Sequence, residues 1–124
     1  MRVPFIFFAA AALCVTGGMV WGIIMAASGD HALASAHAHL NLVGWVTLAL
    51  FGVYYQLTPQ AAATRLAKAH VGLALLGVAL MVPGIVMVLT QRGEGVAIAG
   101  SMITLASMLV FLFTVVRHGF GQPA

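Results

Sequence analysis

Apolar residues run along this chain in four blocks, separated by three short polar breaks. The blocks cover residues 3–27, 36–57, 69–90 and 95–116, each 22 to 25 residues long. Turn-forming residues fill the breaks: Ser28-Gly29-Asp30, Thr58-Pro59-Gln60 and Gln91-Arg92-Gly93-Glu94. At ~1.5 Å per residue, each block crosses a hydrocarbon core of ~30 Å. Backbone polar groups in lipid must pair within their own segment, so the predicted elements are helices. The pattern predicts an all-α membrane protein, one domain over residues 1–124 with four transmembrane helices and no room for a soluble domain.

Composition agrees. The chain is 63% hydrophobic and 6% charged, with a mean hydropathy of +1.12. A soluble fold of 12.9 kDa has too much surface for its volume to hide that much apolar area. Arg2 followed by PFIFFAAAALCV resembles the start of a secretory signal, but the first apolar run exceeds the ~7–15 residues of an h-region. Retention as a spanning helix is therefore expected.

Charge sets the predicted orientation. Arg2, Arg65, Lys68 and Arg117 fall on one side of a four-span topology; Arg92, Asp30 and Glu94 fall on the other. The positive-inside rule then places both termini of this multi-pass protein in the cytoplasm. The net charge of +3 comes from this loop bias. No basic cluster interleaved with aromatics points to a nucleic-acid partner; the partner is the lipid bilayer. The single Cys14 allows no disulfide within the chain, and the absence of C-x-x-C-H excludes the usual covalent haem attachment.

Candidate chemistry concentrates in the second block. Its outer end carries His37 and His39, and ionisable side chains within a span mark functional sites. Two residues apart on a helix, the imidazoles diverge by about 200° and serve opposite faces. Asn41 and Gly44 follow on the His37 face, where Gly44 admits a flat macrocycle or another helix. The bland reading has both histidines bonded to neighbouring carbonyls. The sharper one makes them metal ligands, with Asn41 and Gly44 lining the cofactor site. His31 is expected in solvent beside Asp30, His70 at the inner interface near Lys68, and His118 exposed in the tail. Trp45, Tyr54 and Tyr55 read as packing and an interfacial aromatic belt. Gly18 and Gly22 form a GxxxG, and Gly72, Gly77, Gly84 and Gly100 offer further close-approach points. Thr47, Thr90, Ser101, Thr104 and Ser107 read as packing devices able to hydrogen-bond between helices.

The stretch HAHLNLVGWVTLALFGVYYQLTP, residues 37–59, resembles the second helix of small bacterial membrane proteins related to subunit I of the haem–copper oxidases, especially the cbb3-like branch. The similarity is most specific over residues 35–59 and weaker elsewhere. It implies that the chain corresponds to one four-helix arc of that twelve-helix, pseudo-threefold subunit, in which an H-x-H serves two haems. Three copies forming a homotrimer would recreate the ring, with His37 of one chain facing His39 of the next across a haem b. The implied function is haem-dependent electron transfer, completed by a redox partner or quinol. The copper-site signature is missing: there is no adjacent His-His pair, and Asn41 and Val43 stand four residues after His37 and His39. Oxygen reduction is therefore not expected, and no catalytic residue is assigned. Copper or zinc binding, or a non-catalytic assembly role in a respiratory complex, are the alternatives.

Overall fold

The computed structural model describes residues 2–123. Four helices are long and apolar enough to cross a membrane: α1 (Val3–Ser28), α2 (Ala34–Leu57), α4 (Arg65–Leu89) and α5 (Gly95–His118). One short helix, α3 (Pro59–Ala62), links α2 to α4, and the described residues contain no strand. The chain is a multi-pass membrane protein, with one spanning helix in each apolar block.

Helix ends follow capping rather than hydropathy. α4 begins at Arg65, not residue 69, because the Thr64 hydroxyl accepts the Ala67 N–H at 3.1 Å. That bond takes Arg65 and Lys68 into the first turn. α1 opens with Pro4 in its first turn and closes at Gly29, whose φ of 70° lets its N–H reach the Met25 carbonyl at 3.0 Å. Pro83 lies inside α4 without interrupting it.

α2 is not uniform. An α-helical start (Ala34–His39) passes into a π-helical stretch (Leu40–Thr47) and returns to α (Leu48–Leu57). The Thr47 hydroxyl donates to the Leu42 carbonyl, five residues back, at 2.9 Å. Slower winding here has a packing consequence. Gly44 and Gly52 would lie ~80° apart on an unbroken α-helix, yet both face α1. A Cβ on Gly44 would sit 2.9 Å from Cys14 Sγ, and one on Gly52 would sit 3.1 Å from the Pro4 carbonyl oxygen. The helix approach foreseen at Gly44 is thus α1.

α4 and α5 form the tightest pair. A Cβ on Gly84 would lie 2.5 Å from the Ala97 nitrogen, and one on Gly100 2.5 Å from the Met81 nitrogen. Gly77 meets Thr104 in the same seam. The two backbones touch, as small residues permit where lipid supplies no hydrophobic drive. Elsewhere the helices present Leu13, Ile23, Met102, Leu109 and Val116 outward, the expected surface for a lipid solvent.

The buried core lies toward the end that holds the described termini. It combines Val3, Phe7 and Ala11 of α1 with Leu48, Phe51, Tyr54 and Tyr55 of α2, and with Ala67, Val71, Ala74 and Val78 of α4. Phe111 of α5 closes it, its ring centroid 4.5 Å from that of Phe51. The segment after α5 folds back over this end. Tyr54 donates to the Gly119 carbonyl at 2.6 Å, the Gly121 N–H to Thr58 Oγ1 at 2.9 Å, and Gln60 Nε2 to the Gly121 carbonyl at 2.8 Å.

Candidate functional site

The first turns of α2 carry His37 and His39 at the end of the bundle that holds the α1–α2 connection. The two rings part as their spacing requires, and they meet different surroundings. His37 turns toward α1, where its Nε2–H donates to the Gly18 carbonyl at 2.9 Å. Trp21 stands edge-on to the ring, with centroids 5.8 Å apart. The glycines make this possible. A Cβ on Gly22 would lie 3.3 Å from His37 Nε2, and one on Gly18 would strike the Asn41 amide oxygen. The GxxxG of α1 therefore receives two polar side chains of α2 within one chain.

Asn41 packs beside His37, its amide 3.3 Å from Nε2. A carbonyl only accepts, so Nε2 carries the proton that Gly18 receives, and the Asn41 Nδ2 beside it, itself a donor, packs against that N–H without bonding to it. One end of the amide is left buried without a partner.

His39 is arranged differently. Its Nδ1–H donates to the Ser35 carbonyl of its own helix at 2.8 Å, and Nε2 has no protein partner. The ring is half-buried. A histidine fixed through Nδ1 to a main-chain carbonyl presents an Nε2 lone pair of defined direction, the usual posture of a metal-ligating imidazole. As placed, then, His39 fits an axial ligand. His37 does not, since its Nε2 is committed to Gly18 and only Nδ1 remains. No group of three His, Cys, Asp or Glu side chains among the described residues stands close enough to hold an ion.

The remaining histidines divide. His31 is exposed, within 3.2 Å of the Gly29 carbonyl through Nδ1, as the solvated reading required. His118, expected in solvent, is the last residue of α5 and half-buried. His70 overturns its reading. Expected at the interface beside Lys68, it is 0% exposed. Lys68 points out while His70, two residues later on a helix, faces the opposite way into the core.

Phe7, Phe51 and Phe111 surround His70, with centroids 5.1, 4.5 and 5.8 Å from its own. Tyr55 Oη lies 2.9 Å from Nδ1, and Ser107 Oγ lies 3.1 Å from Nε2. The neutral ring carries one N–H, so one of these hydroxyls donates to it and the other accepts from it. This His70–Tyr55–Ser107 chain ties α2, α4 and α5 together and uses both ring nitrogens. Tyr54 and Tyr55, read as a belt, are 4% and 0% exposed. Their hydroxyls find partners inside the protein rather than at headgroups. Sequence reasoning passed over Trp21, although its offset of three from Gly18 already placed it beside that glycine on the helix surface. It also separated His70 from Tyr55, because no spacing rule links residues on different helices.

Comparison with protein-family models, with curated proteins and with solved structures yields no match to this chain.

Proposed function

We propose that this protein binds haem in the bacterial inner membrane and serves electron transfer, with His39 Nε2 as an axial ligand. The observation that carries this reading is the His39 posture: Nδ1–H held by the Ser35 carbonyl, Nε2 free, at the surface of a spanning helix. Haem suits the donor set better than a bare ion does. A protein-held zinc or copper site commonly needs three or four convergent ligands, whereas the porphyrin supplies four of the iron's donors and asks one or two of the protein. When bound, haem supplies a one-electron couple.

The chain's own residues do the positioning. Ser35 fixes the tautomer and direction of His39. His37 would become a second ligand, facing His39 of the next copy in a homotrimer, only by leaving the Gly18 carbonyl. Both termini lie in the cytoplasm on this reading, supported by Arg2, Arg65, Lys68 and Arg117 at one end. The resemblance of residues 35–59 to the oxidase helix supports the same cofactor.

The test is an absorption spectrum of detergent-purified protein, oxidised and reduced, with its mass in solution. A Soret band that disappears in His39→Ala is expected. A band whose position shifts in His37→Ala identifies His37 as the second ligand; an unshifted one leaves it packed on Gly18. A full Soret band in His39→Ala defeats the proposal. So does stoichiometric copper or zinc without haem absorption. Co-purification with a larger respiratory partner, tolerant of both substitutions, would favour the assembly role instead.

A further inference from the structure

A groove of about 360 Å³ opens between α1 and α2 at the end of the bundle that carries the described termini. Gly52 forms its floor, where the Pro4–Phe8 backbone lies against α2. Phe5, Phe8 and Val53 form the walls, and Arg2 and Gln56 the polar mouth. These groups are sorted along the membrane normal. α1 and α2 run antiparallel, so Gln56, one turn beyond Gly52, comes level with Arg2, which precedes α1. Phe8 and Val53 lie deeper, and Trp45 continues the wall with its ring 6.4 Å from that of Phe8. One end is cationic and hydrogen-bonding; the rest is hydrocarbon.

Charge selects the occupant. The Arg2 guanidinium lies over the Phe5 ring, 5.9 Å from its centroid, at the groove mouth. Both acidic side chains of the chain, Asp30 and Glu94, belong to connections at the opposite end of the bundle. Arg2 therefore has no side-chain carboxylate within reach, while Arg65, Lys68 and Arg117 add positive charge at its level. A guanidinium matches phosphate bidentately, and an amide such as Gln56 can donate to a further phosphoryl or ester oxygen.

We propose that this groove is a binding site for one anionic phospholipid. Its phosphate sits at Arg2 and Gln56, and one acyl chain lies along Phe5, Phe8 and Val53. The site is separate from His37 and His39, which occupy the other end of α2.

Native mass spectrometry of protein stripped of lipid in a neutral detergent tests it, with phosphatidylglycerol and phosphatidylcholine as probes. Wild type should retain one phosphatidylglycerol in preference to phosphatidylcholine. Arg2→Gln should weaken phosphatidylglycerol about fivefold, the worth of one basic side chain at a membrane surface. Val53→Trp, at a position already facing lipid, should block the groove and abolish retention, with helix content checked by circular dichroism. Equal binding of the two lipids overturns the proposal, as does undiminished phosphatidylglycerol retention in Arg2→Gln. A dimer that Val53→Trp disrupts would assign the groove to a second copy and would equally overturn it.

Discussion

Replacing His70 by phenylalanine keeps a ring in the aromatic cage and removes both hydrogen bonds that join α4 to Tyr55 and Ser107. Distances of 2.9 and 3.1 Å are ordinary hydrogen-bond lengths, so each bond should carry an ordinary worth. Bonds between helices in membranes average ~0.6 kcal/mol by double-mutant cycles and reach ~1.7. The bond of the fully buried Tyr55 should fall toward the upper end. His70→Phe should therefore cost ~1–3 kcal/mol. His70→Ala also empties a cage whose walls are rings held by three helices and cannot collapse freely, which raises the loss to ~2–5 kcal/mol. Tyr55→Phe alone should cost about 1 kcal/mol, because it strips Nδ1 of its partner. The decisive quantity is the coupling between Tyr55→Phe and His70→Phe, measured by reversible unfolding or steric trapping in mixed micelles. It should lie between ~0.6 and ~1.7 kcal/mol. Strict additivity, within ~0.3 kcal/mol, would refute the Tyr55–His70 hydrogen bond.

Two further expectations concern the seams. Gly84→Ala and Gly100→Ala place a Cβ 2.5 Å from backbone atoms that cannot swing aside, so each should destabilise by ~1–3 kcal/mol; Gly72→Ala, with nothing within 4 Å, should be neutral or stabilising by up to ~1 kcal/mol. Thermal unfolding in detergent ranks the three, and a harmless Gly100→Ala would mean that α4 and α5 do not touch as described. Tyr54→Phe keeps its ring against Phe111 but frees the Gly119 carbonyl, so hydrogen exchange at residues 119–121 should quicken while helix content holds; unchanged exchange there would show that the tail is fastened by other means.

Four helices were legible because lipid imposes so strict a rule: every span must be long, apolar and internally bonded, and this chain states that four times. The GxxxG at Gly18 and Gly22 was legible too, since small residues four apart identify a close approach whatever the partner. What it receives, His37 and Asn41, was not, because the partner face depends on how α1 and α2 rotate against each other. The π-helical stretch Leu40–Thr47 escaped entirely. It contains no proline and no unusual run, and its effect is to keep Gly44 and Gly52 both against α1. His70 was misplaced for a related reason. Position near a helix start argued for the interface, yet the choice was made by the face, and that face held Tyr55, Ser107 and three phenylalanines from elsewhere in the chain.

The two ends of α2 show why one imidazole site is a candidate for chemistry and the other is not. At the terminus end His70 has a partner on each nitrogen, a closed aromatic wall and no exposure, so any ligand would have to break bonds that hold three helices together. At the far end the helix is anchored by its neighbour instead: His37 and Asn41 enter the Gly18–Gly22 gap and fix α2 against α1. That anchoring leaves His39, on the opposite face, with its direction set by Ser35 and its Nε2 unspent. An imidazole that stabilises the fold must use up its valences, and one that binds must keep a valence open. His70 has used both nitrogens and His37 its Nε2, leaving only Nδ1; His39 holds Nδ1 on Ser35 and keeps Nε2 open. A ligand search on this protein should therefore begin at His39 and treat His37 as the residue that decides whether a second copy joins it.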